Sequence, residues 1–267
     1  MSAVRTTLAV LVASAVALAG VAVASGSAAA ATKPAWKVTL TVQTSSVSVG
    51  QKIRMSGRVS TKAAGLLVKL QERASAGRPW KDQRQARVRA DGTYRTYDVP
   101  TTAKTRSYRV VMPRTAHRSR GVSPSVKVSV YRWVQLTSMP TVNQSFLVPV
   151  STVAMNGIDY PASLEATTYH PDGPTSQSVE FNLDRLCTKF RGTFGISDGS
   201  EAGSQVSVAA TADGTPWFSQ SFSLGQSAAN ALTFEHAPLK INFDTASLVD
   251  GLDGFGAVGT PEVYCTQ

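Results

Sequence analysis

Gly195-Ile196-Ser197-Asp198-Gly199 spells the G-x-S-x-G pattern of a nucleophile elbow. That chemistry needs a strand before the serine and a helix after it, so that the hydroxyl stands exposed on a sharp turn. Here Ser200-Glu201-Ala202-Gly203-Ser204 follows, a loop composition leading into another strand. The pattern therefore reads as a polar turn, although Asp213 and His236 fall in the right chain order for a triad. Glycoside hydrolysis needs two carboxylates opposed across a cleft, and no acidic residue of the second half sits in such a motif. His117, His170 and His236 lack the paired spacing of metal ligands. Asp250-Gly251-Leu252-Asp253-Gly254 is an acidic, flexible loop without the spacing of an EF-hand. Asp250 and Asp253 are its candidate ligands for calcium, which prefers oxygen donors. The expectation is a binding protein, not an enzyme.

Charge supplies a second kind of chemistry. Residues 33–133 hold 22 Lys and Arg against 4 Asp and Glu, a balance of +18. Residues 134–267 hold 4 against 13, a balance of −9, and Arg5 completes the overall +10. So abrupt a change of sign marks a domain junction near Trp133–Pro140. Nine arginines fall between Arg84 and Arg120. Arg84, Arg87, Arg89, Arg95 and Arg109 are the candidate contacts for a polyanion, since such a field attracts opposite charge. The alternative is a solvated face, or pairing with the acidic half.

The chain opens on Arg5, an apolar Ala/Val-rich run from Leu8 to Val23, and small-residue sites such as Ala28-Ala29-Ala30. This is the layout of a secretory signal peptide over residues 1–31. Its apolar core falls short of the roughly 20 residues of a membrane span, so no transmembrane anchor is expected in the mature chain. Export points to an extracellular or cell-wall location and makes nucleic acid an unphysiological partner. In an oxidising compartment the two cysteines, Cys187 and Cys265, are expected to pair as a disulfide.

The elements that must position these residues read as strands. Val38, Leu40 and Val42 alternate with polar residues, as do Val126, Val128 and Val130, and Leu239, Ile241 and Phe243. Period-two patterning puts one face in a core and the other in water. Asp91-Gly92 and Asn156-Gly157, each flanked by alternating runs, are hairpin signals. No helical periodicity of useful length occurs. The expected fold is all-β, with two β-sandwich domains over residues 32–133 and 134–267.

Ser48-Val49-Gly50-Gln51, Met55-Ser56-Gly57-Arg58-Val59, Val68–Arg73, Trp80 and Asp91-Gly92-Thr93-Tyr94 give the first half its strand-and-turn pattern. On these residues it resembles the immunoglobulin-like modules of secreted bacterial proteins. The second half carries Met155–Tyr160, Val179–Leu183, Thr188–Asp198, Val206–Val208 and Ala212-Asp213-Gly214 in order. Across about 110 residues it is similar to the NPCBM family of carbohydrate-binding modules. That resemblance implies a galactose-binding-like jelly-roll sandwich and a glycan or cell-wall polymer as partner. A sugar site on such a sandwich would set an aromatic ring against a pyranose, with polar groups for its hydroxyls. Trp217, Tyr169 and His170 are the candidate rings, and Asp198 and Asp213 their polar partners. If Trp217 packs inward, a structural or protein-interaction role is the alternative.

Overall fold

The computed structural model describes residues 33–167 and 176–267. The expected leader and the candidates Tyr169 and His170 lie outside them. The first half contributes β1 (Thr41–Val42), β2 (Ser46–Ser48), β3 (Ile53–Arg58), β4 (Leu67–Arg73), β5 (Lys81–Arg87), β6 (Thr93–Asp98), β7 (Lys104–Met112), β8 (Gly121–Val122) and β9 (Val126–Gln135). The second half contributes β10 (Thr141–Ser145), β11 (Leu147–Met155), β12 (Ile158–Ala166), β13 (Ser176–Asn182) and β14 (Cys187–Ile196). It closes with β15 (Gln205–Ala212), β16 (Thr215–Ser223), β17 (Ser227–Thr233), β18 (Lys240–Ser247) and β19 (Gly256–Cys265). Among the described residues the helical elements are two short 3-10 turns, Thr61–Ala63 and Leu136–Ser138. The protein is all-β.

Alternation decides which faces meet. In β3, Ile53 and Met55 are buried while Arg54 and Ser56 are exposed. The sheet β1-β3-β6 packs on the sheet β5-β4-β7-β9, to which β2 and β8 add short pairings. Ile53, Met55 and Tyr94 from the first sheet share one apolar cluster with Leu70, Tyr108, Val110 and Val128 from the second. In the second half, strands β11-β12-β19-β14-β17 form one sheet and β10-β13-β18-β15-β16 the other. Between them lies a separate cluster in which Phe190, Phe194 and Val263 meet Phe181, Val208 and Phe243. Burying each such side chain contributes about 1.5–3 kcal/mol, so each half is a β-sandwich held by its own core.

One strand serves both halves. Val126–Val130 of β9 pair with β7, and Arg132–Gln135 of the same strand pair with β19. The change of charge sign therefore falls at the end of a shared, hydrogen-bonded strand. Tyr264 sits at this junction. Its ring stacks on Tyr131 at 5.0 Å and tilts against Trp133 at 5.2 Å, and its hydroxyl hydrogen-bonds with Ser48 Oγ.

The two turn signals have different outcomes. Asn156 (φ 52°) and Gly157 (φ 71°) form a two-residue hairpin, with Met155 paired to Ile158. Both central residues are left-handed, the geometry that matches strand twist. Asp91-Gly92 also turns, with Gly92 at φ 79° and Asp91 Oδ1 accepting from Thr93 N at 2.9 Å. Yet the strands it joins do not form a hairpin ladder: β5 pairs with β4, and β6 pairs with β3. The turn carries the chain from one sheet to the other.

Cys187 and Cys265 form the expected disulfide. They stand opposite each other on β14 and β19 and are fully buried.

Candidate functional site

A shallow groove of about 530 Å³ crosses the outer face of the sheet formed by β12, β19, β14 and β17. Its floor is made of small residues from three strands, Gly192 of β14, Gly259 of β19 and Ala229 and Ala231 of β17, while Phe190 and Phe194 of β14 are buried in the core. Tyr160 forms one wall. Its ring lies directly on the Gly259 backbone, where an added Cβ would come within 2.6 Å of Tyr160 Cγ. Only glycine allows so close an approach.

The other wall is polar. Arg191 donates from Nε and Nη2 to Glu262 Oε2, each at 2.6 Å, across the β14–β19 ladder. The same guanidinium lies 4.2 Å from the Trp133 ring centroid, which fixes its plane. Thr193, Asn230 and Thr260 complete the lining with two hydroxyls and an amide. Thr260 has φ 44°, a left-handed conformation that is costly for a β-branched residue. Two bonds hold it there: its N–H donates to Ser163 Oγ at 3.1 Å, and its hydroxyl to Pro161 O at 2.9 Å. It stands where the edge of β19 changes partner from β12 to β9. The irregularity opens the sheet at the groove, as bulges near binding sites do.

Chemically, the arrangement offers a flat apolar floor, one aromatic wall, and donors and acceptors along the rim. That combination fits a ligand with an apolar face and many hydroxyls.

The residues singled out in the sequence sit elsewhere. Trp217 is half-buried on β16 and packs into an aromatic cluster, 5.0 Å from Phe190 and 5.8 Å from Phe194. The Asp198 carboxylate accepts from Asn156 N and Gly157 N, both at 2.8 Å, and so caps the hairpin. Asp213 accepts from Leu239 N and Lys240 N, both at 2.9 Å. Ser197 is buried, and its Oγ accepts from Gly199 N at 3.3 Å, as a turn serine does. Asp250 is exposed and Asp253 half-buried. Glu201 beside them is engaged, its carboxylate accepting from Asp253 N at 3.0 Å. Among the described residues, no three His, Cys, Asp or Glu side chains converge as a metal-binding group.

No protein-family model matches the chain, and no curated protein does. The resemblance to NPCBM modules thus rests on the residues quoted for it. Among solved structures, the chain is similar to the CBM36-1 domain of a multidomain xylanase from the hindgut metagenome of Trinervitermes trinervoides. That match has 12% identity, 50% of this chain, 95% of that one and a TM-score of 0.28. It is also similar to a CBM61 module in complex with β-1,4-galactotriose, at 9% identity, 51% and 88% coverage and a TM-score of 0.25. A third match is allantoicase, at 8% identity, 81% and 78% coverage and a TM-score of 0.28. At these scores none of the three carries an argument about ligand or activity.

The arginine candidates are dispersed and partly engaged. Arg87 donates to Gly65 O at 2.6 Å. Arg109 donates from Nε to Gln71 Oε1 at 2.9 Å and stacks 4.1 Å from the Trp80 centroid. Burial, with Arg120 and Arg73 nearby, lowers its pKa from the ordinary arginine value. Arg84 lies 3.9 Å over the Tyr97 ring, and Arg89 and Arg95 are exposed. Tyr160 and Arg191 lie in segments that carry the NPCBM resemblance but were not read as site residues, and Asn230 and Glu262 lay in no motif. A further legible signal was glycine inside strands, at Gly192 and Gly259, which marks close backbone approach.

Proposed function

We propose that this is a secreted, non-catalytic binding protein. Residues 134–267 would form a glycan-recognising domain, and residues 32–133 a basic domain that contacts anionic envelope polymers. The observation that carries the glycan reading is the groove. Tyr160 stands against a Gly/Ala floor, and Arg191, Glu262 and Asn230 reach its rim. A pyranose presents one face of C–H groups and a girdle of hydroxyls, which matches that floor and rim in turn. The polar groups are held in place before any ligand arrives, so little ordering cost falls on binding.

The test is a glycan-array screen of the full chain with its disulfide intact, with and without calcium. Selective binding is expected, and Tyr160→Ala or Arg191→Ala should abolish it while Asp213→Asn leaves it intact. Absence of any glycan partner in both conditions sinks the reading. Retention of full binding by Tyr160→Ala moves the site elsewhere.

A further inference from the structure

A cleft of about 680 Å³ opens beside the three-stranded sheet of the basic half. Lys52, Arg54 and Arg95 line it, and no carboxylate does. Arg54 stands opposite Tyr97, and Ser56 opposite Arg95, on the β3–β6 ladder. Adjacent and diagonal positions of such a ladder lie about 5–8 Å apart, so the two guanidiniums share one patch of sheet. Tyr97 is flanked by further charge: Lys52 Nζ lies 4.5 Å from its centroid, and Arg84 Cζ 3.9 Å.

Some cations of this half are engaged by carboxylates or rings. Lys69 pairs with Asp82 at 2.9 Å, and Arg106 pairs with Glu72. Arg73 and Arg109 stack on Trp80. Among the described residues, Lys52, Arg54 and Arg95 make no ion pair. Thr41, Gln43 and Ser56 add polar groups to the lining. Two planar forks and an ammonium suit an anion with several acceptor oxygens. Guanidiniums bind phosphate in this bidentate way. The Tyr97 ring provides an apolar wall for the carbon backbone between charges.

We infer that this cleft is a subsite for the phosphate groups of a phosphodiester-linked polyol polymer. The inference rests on the anionic-polymer reading above and names its site. It assigns Lys52, Arg54, Arg95 and Tyr97 the contact role, with Arg84 extending the track.

Titration of the full chain with poly(glycerol phosphate) tests it, using wild type, Arg54→Gln/Arg95→Gln and Arg87→Gln/Arg89→Gln. Each arginine supplies charge-assisted hydrogen bonds, so losing both should weaken binding at least about a hundredfold. The Arg87/Arg89 variant should bind within a few-fold of wild type. All four positions are exposed, and glutamine keeps a polar side chain, so folding is expected to survive and is checked by urea denaturation. If the Arg87/Arg89 variant loses binding and the cleft variant does not, the subsite is wrong while the anionic-polymer reading stands. If wild type binds no poly(glycerol phosphate) even at low salt, both fall. Equal affinity for poly-L-glutamate of matched charge overturns the phosphate assignment and leaves a general field effect.

Discussion

At the scale of single residues, the groove depends on glycines as much as on its polar groups. The Tyr160 ring occupies the space a side chain at position 259 would need. Gly259→Ala is therefore expected to push the ring aside and to destabilise the fold by about 1–3 kcal/mol, the usual cost of overpacking. Urea denaturation reads the stability change, and the glycan screen reads the loss of the wall. An unchanged Tyr160 environment, seen as unaltered tyrosine fluorescence and binding, would count against this account of the groove. Trp217 shows the converse. It was visible in the sequence as an aromatic after a turn, but burial among Phe190, Phe194 and Phe243 makes it a packing residue. Asp198 and Asp213 were legible as acids next to turns, and they do hold turn and loop amides.

At the scale of elements, β18 runs through the centre of its sheet, between β13 and β15. Its outward Asp244 is flanked by Ser178 and Ala209 on the neighbouring strands. Burial raises its pKa above the ordinary 3.8, partly offset by a hydrogen bond from Asn242. The folded state therefore holds this proton more tightly than the unfolded chain does. Stability from this group falls as pH rises from 3.8 through the raised native value, and stays lower above it. Asp244→Asn should resist urea better than wild type at about pH 7, with the difference vanishing near about pH 3. Equal urea midpoints at both pH values would show that Asp244 is not desolvated. The Asp91-Gly92 turn belongs to this scale too. Its chemistry was plain in the residues, but which strands it would pair was not, since a turn sets local geometry and not sheet partners.

At the scale of the whole molecule, β19 is the common member. It pairs with β14 and β12 within one sandwich and with β9 from the other, and its Cys265 is bonded to Cys187. The disulfide closes a loop of 78 residues, which contributes about 4 kcal/mol in the chain-entropy model. Reduction of the full chain is expected to lower the thermal midpoint and to weaken glycan binding, because β14 and β19 carry the groove. A midpoint unmoved by reductant would argue that strand pairing alone holds β19. No helix among the described residues is long and apolar enough to cross a membrane.

The all-β class, the strand faces, the Asn156-Gly157 hairpin and the cysteine pair were all readable in the sequence. Each depends on local periodicity, on the conformational preference of one or two residues, or on a pairing with one alternative. The charge asymmetry was readable as well, because it needs only counting. Tertiary structure alone decided the groove. Arg191 and Glu262 are 71 residues apart, and their meeting follows from the β14–β19 register. That register is set by burial of Phe190, Phe194, Val258 and Val263 on the opposite face. Tertiary structure also decided which cations stand together. Lys52, Arg54 and Arg95 look like their neighbours in the chain, and only sheet pairing leaves them together without a carboxylate.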